Sequence, residues 1–263
     1  MRYDLTDFEW SVIEPVLPRG RRGQQPQNNR RVMNGIFWVL RTGAPWRDLP
    51  ERYGPYTTAY NRFNRWRKAG IWDGLMAAVT KAHDGKVQMI DSSIVRVHQH
   101  ASGVKKKSGD RCVGRSRGGL STKIHARVDH QGRPIQILIT PGQAHDLTGA
   151  EPLLANLGQD TIIIADKAYD ADRLRAHIKA RGAIANIPNM IRRKKRFRWT
   201  KAIYRERNRV ERFFNKLKQF RRIATRYDKL GATFLAFIQL AAVLRSIEST
   251  TFCNGPDDVK PPE

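Results

Sequence analysis

The chain holds only two cysteines in 263 residues, Cys112 and Cys253. They stand far apart in unrelated contexts, which excludes a CxxC zinc site and a disulfide framework and fits a reducing cytoplasm. Acids are scarce as well: 24 Asp and Glu face 49 Lys and Arg, a net charge of +25. Long apolar runs are missing. The longest, "FLAFIQLAAVL" at 234–244, is about half a membrane span, and "MRYDLTDFEW" at the start lacks the apolar stretch of a secretory signal. A soluble protein without membrane contact is expected. A hydrophobic content of 40% with six tryptophans excludes a disordered polycation. What remains is a folded basic chain whose expected partner is a polyanion. Nucleic acid leads, because basic charge supplies sequence-independent affinity by releasing counterions from phosphates.

The length suits one α/β domain plus a smaller module. "LTDFEWSVIEPVLP" opens with a capping box, Thr6 with Glu9, and stops at Pro15 and Pro18, so it reads as a short helix. "RRVMNGIFWVLRTG" sets Val32, Ile36, Val39 and Leu40 at helical spacing and ends at Gly43. A third helix, "TTAYNRFNRWRKAG", is capped by Thr57 or Thr58 and ended by Gly70. It turns Tyr60, Phe63 and Trp66 to a core and Asn61, Arg62, Arg65 and Lys68 elsewhere. This suits a small helix-turn-helix-like all-α domain over 1–82, with Asn61, Arg62 and Arg65 reading DNA; a plain helical bundle with a solvated basic face fits the same pattern.

From residue 85 the pattern changes to strands: "KVQMIDSSIVRVH", then "TKIHARVDHQGRPIQILIT" turning at 131–134, then "TIIIAD" and "AIANIP". Helical stretches fall near 146–156 and 170–181. The order β-β-β-α-β-α-β-α is that of a ribonuclease H-like mixed sheet. The expected division is 1–82 for DNA binding, 83–250 for catalysis and 251–263 as a tail. Two basic segments, 103–119 and 191–201, are expected to order only on phosphates.

Asp91 interrupts an apolar strand, where an aspartate costs β-propensity and is expensive to bury alone. Asp166 ends "IIIAD" and projects from the C-terminal edge of the sheet; such a residue also serves as a turn or helix cap. If the two strands are neighbours, two carboxylates converge, and a divalent cation relieves their repulsion. Two such ions about 4 Å apart activate the attacking oxygen and steady the leaving one in phosphoryl transfer.

A third acid lies in "YRERNRVERFFNKLKQF" at 204–220. On a continuous helix with Tyr204 at zero, Arg207, Glu211 and Lys218 fall at about 300°, 340° and 320°, forming one stripe. Val210, Phe213, Phe214, Leu217 and Phe220 form an apolar face beside it, and Glu206 falls on that apolar face. A carboxylate among cations on one face can hold metal while Arg and Lys hold substrate phosphates. Arg207 and Glu211 also make an ordinary i,i+4 pair.

These residues resemble the bacterial insertion-sequence transposases of the DDE class. Tyr204, Arg207, Glu211 and Lys218 fit the signature Y-x2-R-x3-E-x6-K, and Asp91 in "MIDSSIVRVHQHASG" and Asp166 in "IIADKAYDADRLR" look like the first and second catalytic aspartates. "GRSRGGLSTKIHA", "PGQAHDLTGA" and "GAPWRDLPERYGPYTTAYNRFNRW" are similar to the insertion-sequence-five branch. The resemblance covers roughly residues 3–247. It implies that Asp91, Asp166 and Glu211 bind two Mg²⁺ ions, with Mn²⁺ as the alternative. It further implies that Tyr204, Arg207 and Lys218 contact DNA near the cleaved end. The implied partner is double-stranded DNA, at terminal inverted repeats and at the target site. A homodimer or larger synaptic assembly and a cytoplasmic, nucleoid-associated location complete the expectation.

Two other readings use the same features: a non-enzymatic repressor, which needs only the basic surfaces, and a nuclease without a joining step. His98, His100 and Cys112 could be drawn as a zinc site, but a fourth ligand is missing. The remaining histidines show no ligand spacing.

Overall fold

The computed structural model describes residues 3–18, 28–81, 85–101 and 111–253. It divides into two compact units, one of 1–79, 217–224 and 236–263, the other of 80–216 and 225–235. The sequence reading assigned 83–250 to one domain. The observed units instead exchange chain, because the apolar faces of 217–224 and of the last helix complete the core of the N-terminal helices. The helix α10 (Gly231–Cys253) also runs into the expected tail; the rest of that tail lies outside the described residues.

The sheet is built on β1 (Val87–Val97). Antiparallel β3 (Gly119–Asp129) flanks it on one side and parallel β5 (Ile162–Ile164) on the other. β4 (Pro134–Pro141) returns along β3 as a hairpin, and β6 (Ile184–Asn186) extends the sheet beyond β5. Short β2 (Gly114–Ser116) and β7 (Thr225–Arg226) add to β3 and β1. This is the expected ribonuclease H-like mixed sheet with two small additions. The Ile-rich run of β5 is covered by α5 (Asp146–Leu153) and α6 (Asp172–Lys179), whose Ala150, Leu153, Leu174 and Ile178 bury against Ile90 and Ile163. Each such leucine or isoleucine contributes about 1.5–3 kcal/mol by leaving water.

Segment 191–201 was expected to await phosphates, but it is pinned. The buried Asp170 accepts from Arg175 Nε at 2.8 Å, the Met190 amide at 2.8 Å and Arg193 Nη1 at 3.1 Å. Asn189 and Asn186 bond the backbone of Phe197 and Thr200. The Phe197 ring lies under Arg175 and Arg193. Of the other basic segment, residues 103–110 lie outside the described residues, while Gly114–Ser116 is already ordered as β2 on β3.

In the helical unit, α1 (Asp7–Ile13) starts on the capping box read from sequence, and α2 (Asn29–Thr42) ends at Gly43 in the left-handed region. The third helix, α3 (Tyr56–Lys68), begins at Pro55 with no side-chain cap, so neither Thr57 nor Thr58 caps it. α4 (Ile71–Thr80) follows after two residues. Phe63 stacks on Phe237 of α10 at 4.4 Å, and the buried Arg222 of α9 (Arg221–Ala224) lies over Phe237 at 4.9 Å. Tyr60, expected in the core, is 47% exposed, its ring edge against Trp46. α10 contains an 18-residue window with mean hydropathy 1.3 that is long and apolar enough to cross a membrane, but 67% of it is buried in the fold.

Candidate active site

Register brings the two aspartates to one level. β1 and β5 run parallel with Val87 opposite Ile162 and Met89 opposite Ile164, so Asp91 and Asp166 follow two residues further on adjacent chains. Asp166 caps the 3-10 turn at Lys167–Tyr169, its Oδ1 accepting from the Ala168 amide at 2.8 Å. Cap and candidate ligand are thus the same residue.

The third acid arrives from a broken helix. The chain over 204–220 is not one helix. α7 (Lys201–Tyr204) passes through a 3-10 turn at Arg205–Arg207 into α8 (Asn208–Leu217). The tighter turn rotates the preceding residues off the 100° wheel. Glu206 therefore leaves the apolar face and pairs with Arg209 at 2.6 Å. Val210, Phe213, Phe214, Leu217 and Phe220 are all buried as expected. Gly132, in the β3–β4 turn with φ +79°, lets that turn approach the Arg209 carbonyl; an added Cβ would stand 3.2 Å from it. The start of α8 is held there.

Arg207 is the centre of the arrangement. Its Nη2 donates to Asp91 Oδ2 at 2.8 Å and its Nη1 to Glu211 Oε1 at 2.5 Å. One guanidinium therefore bridges the first and third acids. Burial pushes the Asp91 carboxyl up to about 6 against the pull of Arg207 and of the Ser92 amide, and Asp166 and Glu211 add repulsion. Three carboxylates thus share one electrostatic site, with a cation already between two of them. Among the described residues, no three His, Cys, Asp or Glu side chains stand ready to hold a metal. The donor set itself, three hard carboxylates with a desolvated member, fits a divalent ion.

Tyr204 is half-buried, edge-on to Trp199 at 5.6 Å. Lys218 lies past the end of α8 in the stretch that belongs to the helical unit, so it does not continue one helical stripe. The last turn tightens there, with the Phe220 amide bonding the Leu217 carbonyl at 3.2 Å. On α3, Asn61 and Arg65 are exposed. Arg62 is partly committed, donating to Asn29 Oδ1 and packing over Trp66.

Sequence reasoning missed a half-buried polar layer next to Asp91. Ser92 Oγ and Lys123 Nζ both donate to Asp146 Oδ1, at 2.6 and 2.7 Å. Burial raises the Asp146 carboxyl, but those bonds and the Lys123 charge hold it below its ordinary range. Burial likewise pushes the Tyr169 hydroxyl well up, with Asp91 and Asp146 adding to it. The available signal was Asp146 itself, an acid opening α5 in "AHDL".

Arg207 ties Asp91 to Glu211, and Asp166 follows the neighbouring parallel strand, an arrangement of acids that fits a phosphoryl-transfer enzyme of the DDE type. The chain belongs to the transposase DDE domain family, whose model matches residues 82–245. A second model, "Putative transposase of IS4/5 family", matches residues 5–76. Among curated relatives, it is 42% identical over 135 residues to the "Putative transposase for insertion sequence element IS6501" of Brucella ovis, covering 48% of this chain and 97% of that one. It is 40% identical over 109 residues to "Uncharacterized protein y4sN" of Sinorhizobium fredii, covering 41% and 87%. The "Transposase for insertion sequence element IS1106" of Neisseria meningitidis is 40% identical over 60 residues, 23% of this chain and 21% of that one. A solved chain, "Crystal structure of a pre-cleavage Mos1 transpososome", aligns over 88% of this chain and 82% of its own at 11% identity and a TM-score of 0.26, too low to carry weight.

Proposed function

We propose that this DNA transposition enzyme binds the terminal inverted repeats of an insertion sequence, cuts them with a divalent metal, and joins the freed ends to target DNA. The observation that supports it is the bridge of Arg207 between Asp91 and Glu211, beside Asp166 at the same level of the sheet. Asp91, Asp166 and Glu211 would hold Mg²⁺ or Mn²⁺. When bound, such ions activate the attacking oxygen and stabilise the leaving one in phosphoryl transfer. Arg207, released from the acids, turns its fork to a substrate phosphate, which it matches bidentately. Tyr204, beside Trp199, lines the approach to the strand end, and Lys218, Asn61, Arg62 and Arg65 serve as further DNA contacts. Two copies, or more, hold the paired ends in the cytoplasm at the nucleoid.

Asp91→Asn, Asp166→Asn and Glu211→Gln are expected to bind repeat DNA nearly as wild type does. Each should lose more than about 100-fold in Mg²⁺-dependent cleavage and strand transfer, since even residues behind metal ligands cost 10- to 100-fold. Gel assays with labelled ends, with and without Mg²⁺, check this. Full cleavage by any of the three would remove that residue from the site.

A further inference from the structure

The helical unit concentrates charge that the three carboxylates do not use. Arg41 in the last turn of α2, Arg221 at the start of α9 and Arg245 on α10 line one cavity of about 380 Å³, together with Gln219, Phe220 and Glu248. All of these residues belong to one unit. The Phe220 ring is buried, and the guanidiniums of Arg41 and Arg245 lie 5.9 and 5.2 Å from its centroid. Cation–π attraction thereby offsets part of the repulsion between two like charges.

Glu248 is the one carboxylate lining the cavity. It accepts from Arg245 Nη1 at 2.6 Å and stands 3.8 Å from Arg41 Nη2. Gln219 Oε1 accepts from Arg245 Nη2 at 2.6 Å and fixes that side chain. Arg41 Nε is buried with no hydrogen-bond partner. Arg221 is exposed and has no ion pair among the described residues. Three cations against one anion leave a positive excess in a preformed recess. The backbone is shaped to make it: Gly43 takes φ +72°, and a Cβ there would stand 3.1 Å from the Arg221 Cβ. Only glycine lets α2 end this close to the start of α9.

We propose that this recess grips one phosphate of the DNA backbone, with Arg221 and Arg41 as donors and Arg245 as the fixed wall. Guanidinium forks match phosphate oxygens in pairs. The inference rests on the reading that the protein acts on DNA, and it adds a phosphate contact away from helix α3.

Binding of duplex DNA is measured in chelator across a salt series, with the full chain. One gripped phosphate contributes about 0.9 to the slope of log K against log salt. Arg221→Gln is expected to lower the slope, and the double variant Arg41→Gln/Arg221→Gln to lower it by about 0.9 in total, not twice that. An unchanged slope in a double variant with wild-type melting overturns the proposal. Should the double variant melt early, Arg221→Glu, at an exposed position, replaces it under the same criterion. A thermal-shift series compares inorganic phosphate with chloride at matched ionic strength. Stabilisation by phosphate that the variant loses, with no change of slope, assigns the recess to free phosphate and overturns the DNA contact. No cleavage is read, so this proposal can fail while the carboxylate site stands. Wild-type protein that ignores duplex DNA altogether would sink the proposed function as well.

Discussion

Asp91, a ligand of the proposed metal site, shows how a buried acid strains the fold that carries it. Its folded pKa of about 6 lies above the ordinary 3.8, first because it is buried and then because Asp166 and Glu211 repel it. The native state therefore keeps a proton that the unfolded chain releases between about pH 4 and pH 6. Stability falls as pH rises through that window, by up to about 3 kcal/mol at 1.36 kcal/mol per unit. Arg207 limits the cost but cannot remove it, since one guanidinium is shared with Glu211. Asp91→Asn carries no charge to desolvate. It is expected to melt higher than wild type at pH 7.5 in chelator, with the advantage gone below about pH 4. Calorimetry across pH checks this, and a variant that melts lower at pH 7.5 counts against the electrostatic account.

At the scale of elements, helix α5 shows what the sequence cannot announce. Gly149 packs on the buried ring of His125 in β3; an added Cβ would stand 2.4 Å from its Nδ1. Alanine normally gains about 1 kcal/mol over glycine in a helix, but overpacking here costs about 1–3 kcal/mol. Gly149→Ala should therefore destabilise in urea unfolding, and His125→Ala should relieve part of that loss. The displaced helix also carries Asp146, which bonds Ser92 next to Asp91. The five main strands, α2, α5 and α6 were legible because each rests on local signals: β-branched runs, a left-handed glycine, an acid at the end of an apolar run. The 3-10 turn at Arg205–Arg207 was not legible. It carries the Arg207 that reaches Asp91, 116 residues away in sequence, and no local pattern encodes a partner so distant. The misplacement of Glu206 goes with that break, while the stripe through Lys218 stops because α8 ends at Leu217. Lys123 was hidden for a related reason: a lysine in a strand reads as solvent-facing until Asp146 and the Ala144 carbonyl, which accept its ammonium at 2.7 Å, are in place.

At the scale of the whole molecule, the chain crosses between its two units four times, after residues 79, 216, 224 and 235. A domain read as 1–82 therefore lacks part of its own core. Phe63 of α3 stacks on Phe237, Trp46 packs against Phe237 at 6.1 Å, and Arg222 lies over both Trp46 and Phe237. These partners come from α9 and α10. A fragment of 1–82 would expose Phe63, which is 1% accessible in the full chain. It would also lose aromatic pairs worth about 0.5–1.5 kcal/mol each beyond the area they bury. Against a typical domain stability of about 5–15 kcal/mol, that loss is large for so small a unit. The fragment is expected to give poorly dispersed amide resonances and no cooperative thermal transition, while the full chain melts cooperatively. A second fragment in which residues 217–250 are joined to 1–79 through a flexible linker should recover dispersion and the Phe63–Phe237 stack. If 1–82 alone folds cooperatively, the division of the chain into interleaved units has no energetic meaning.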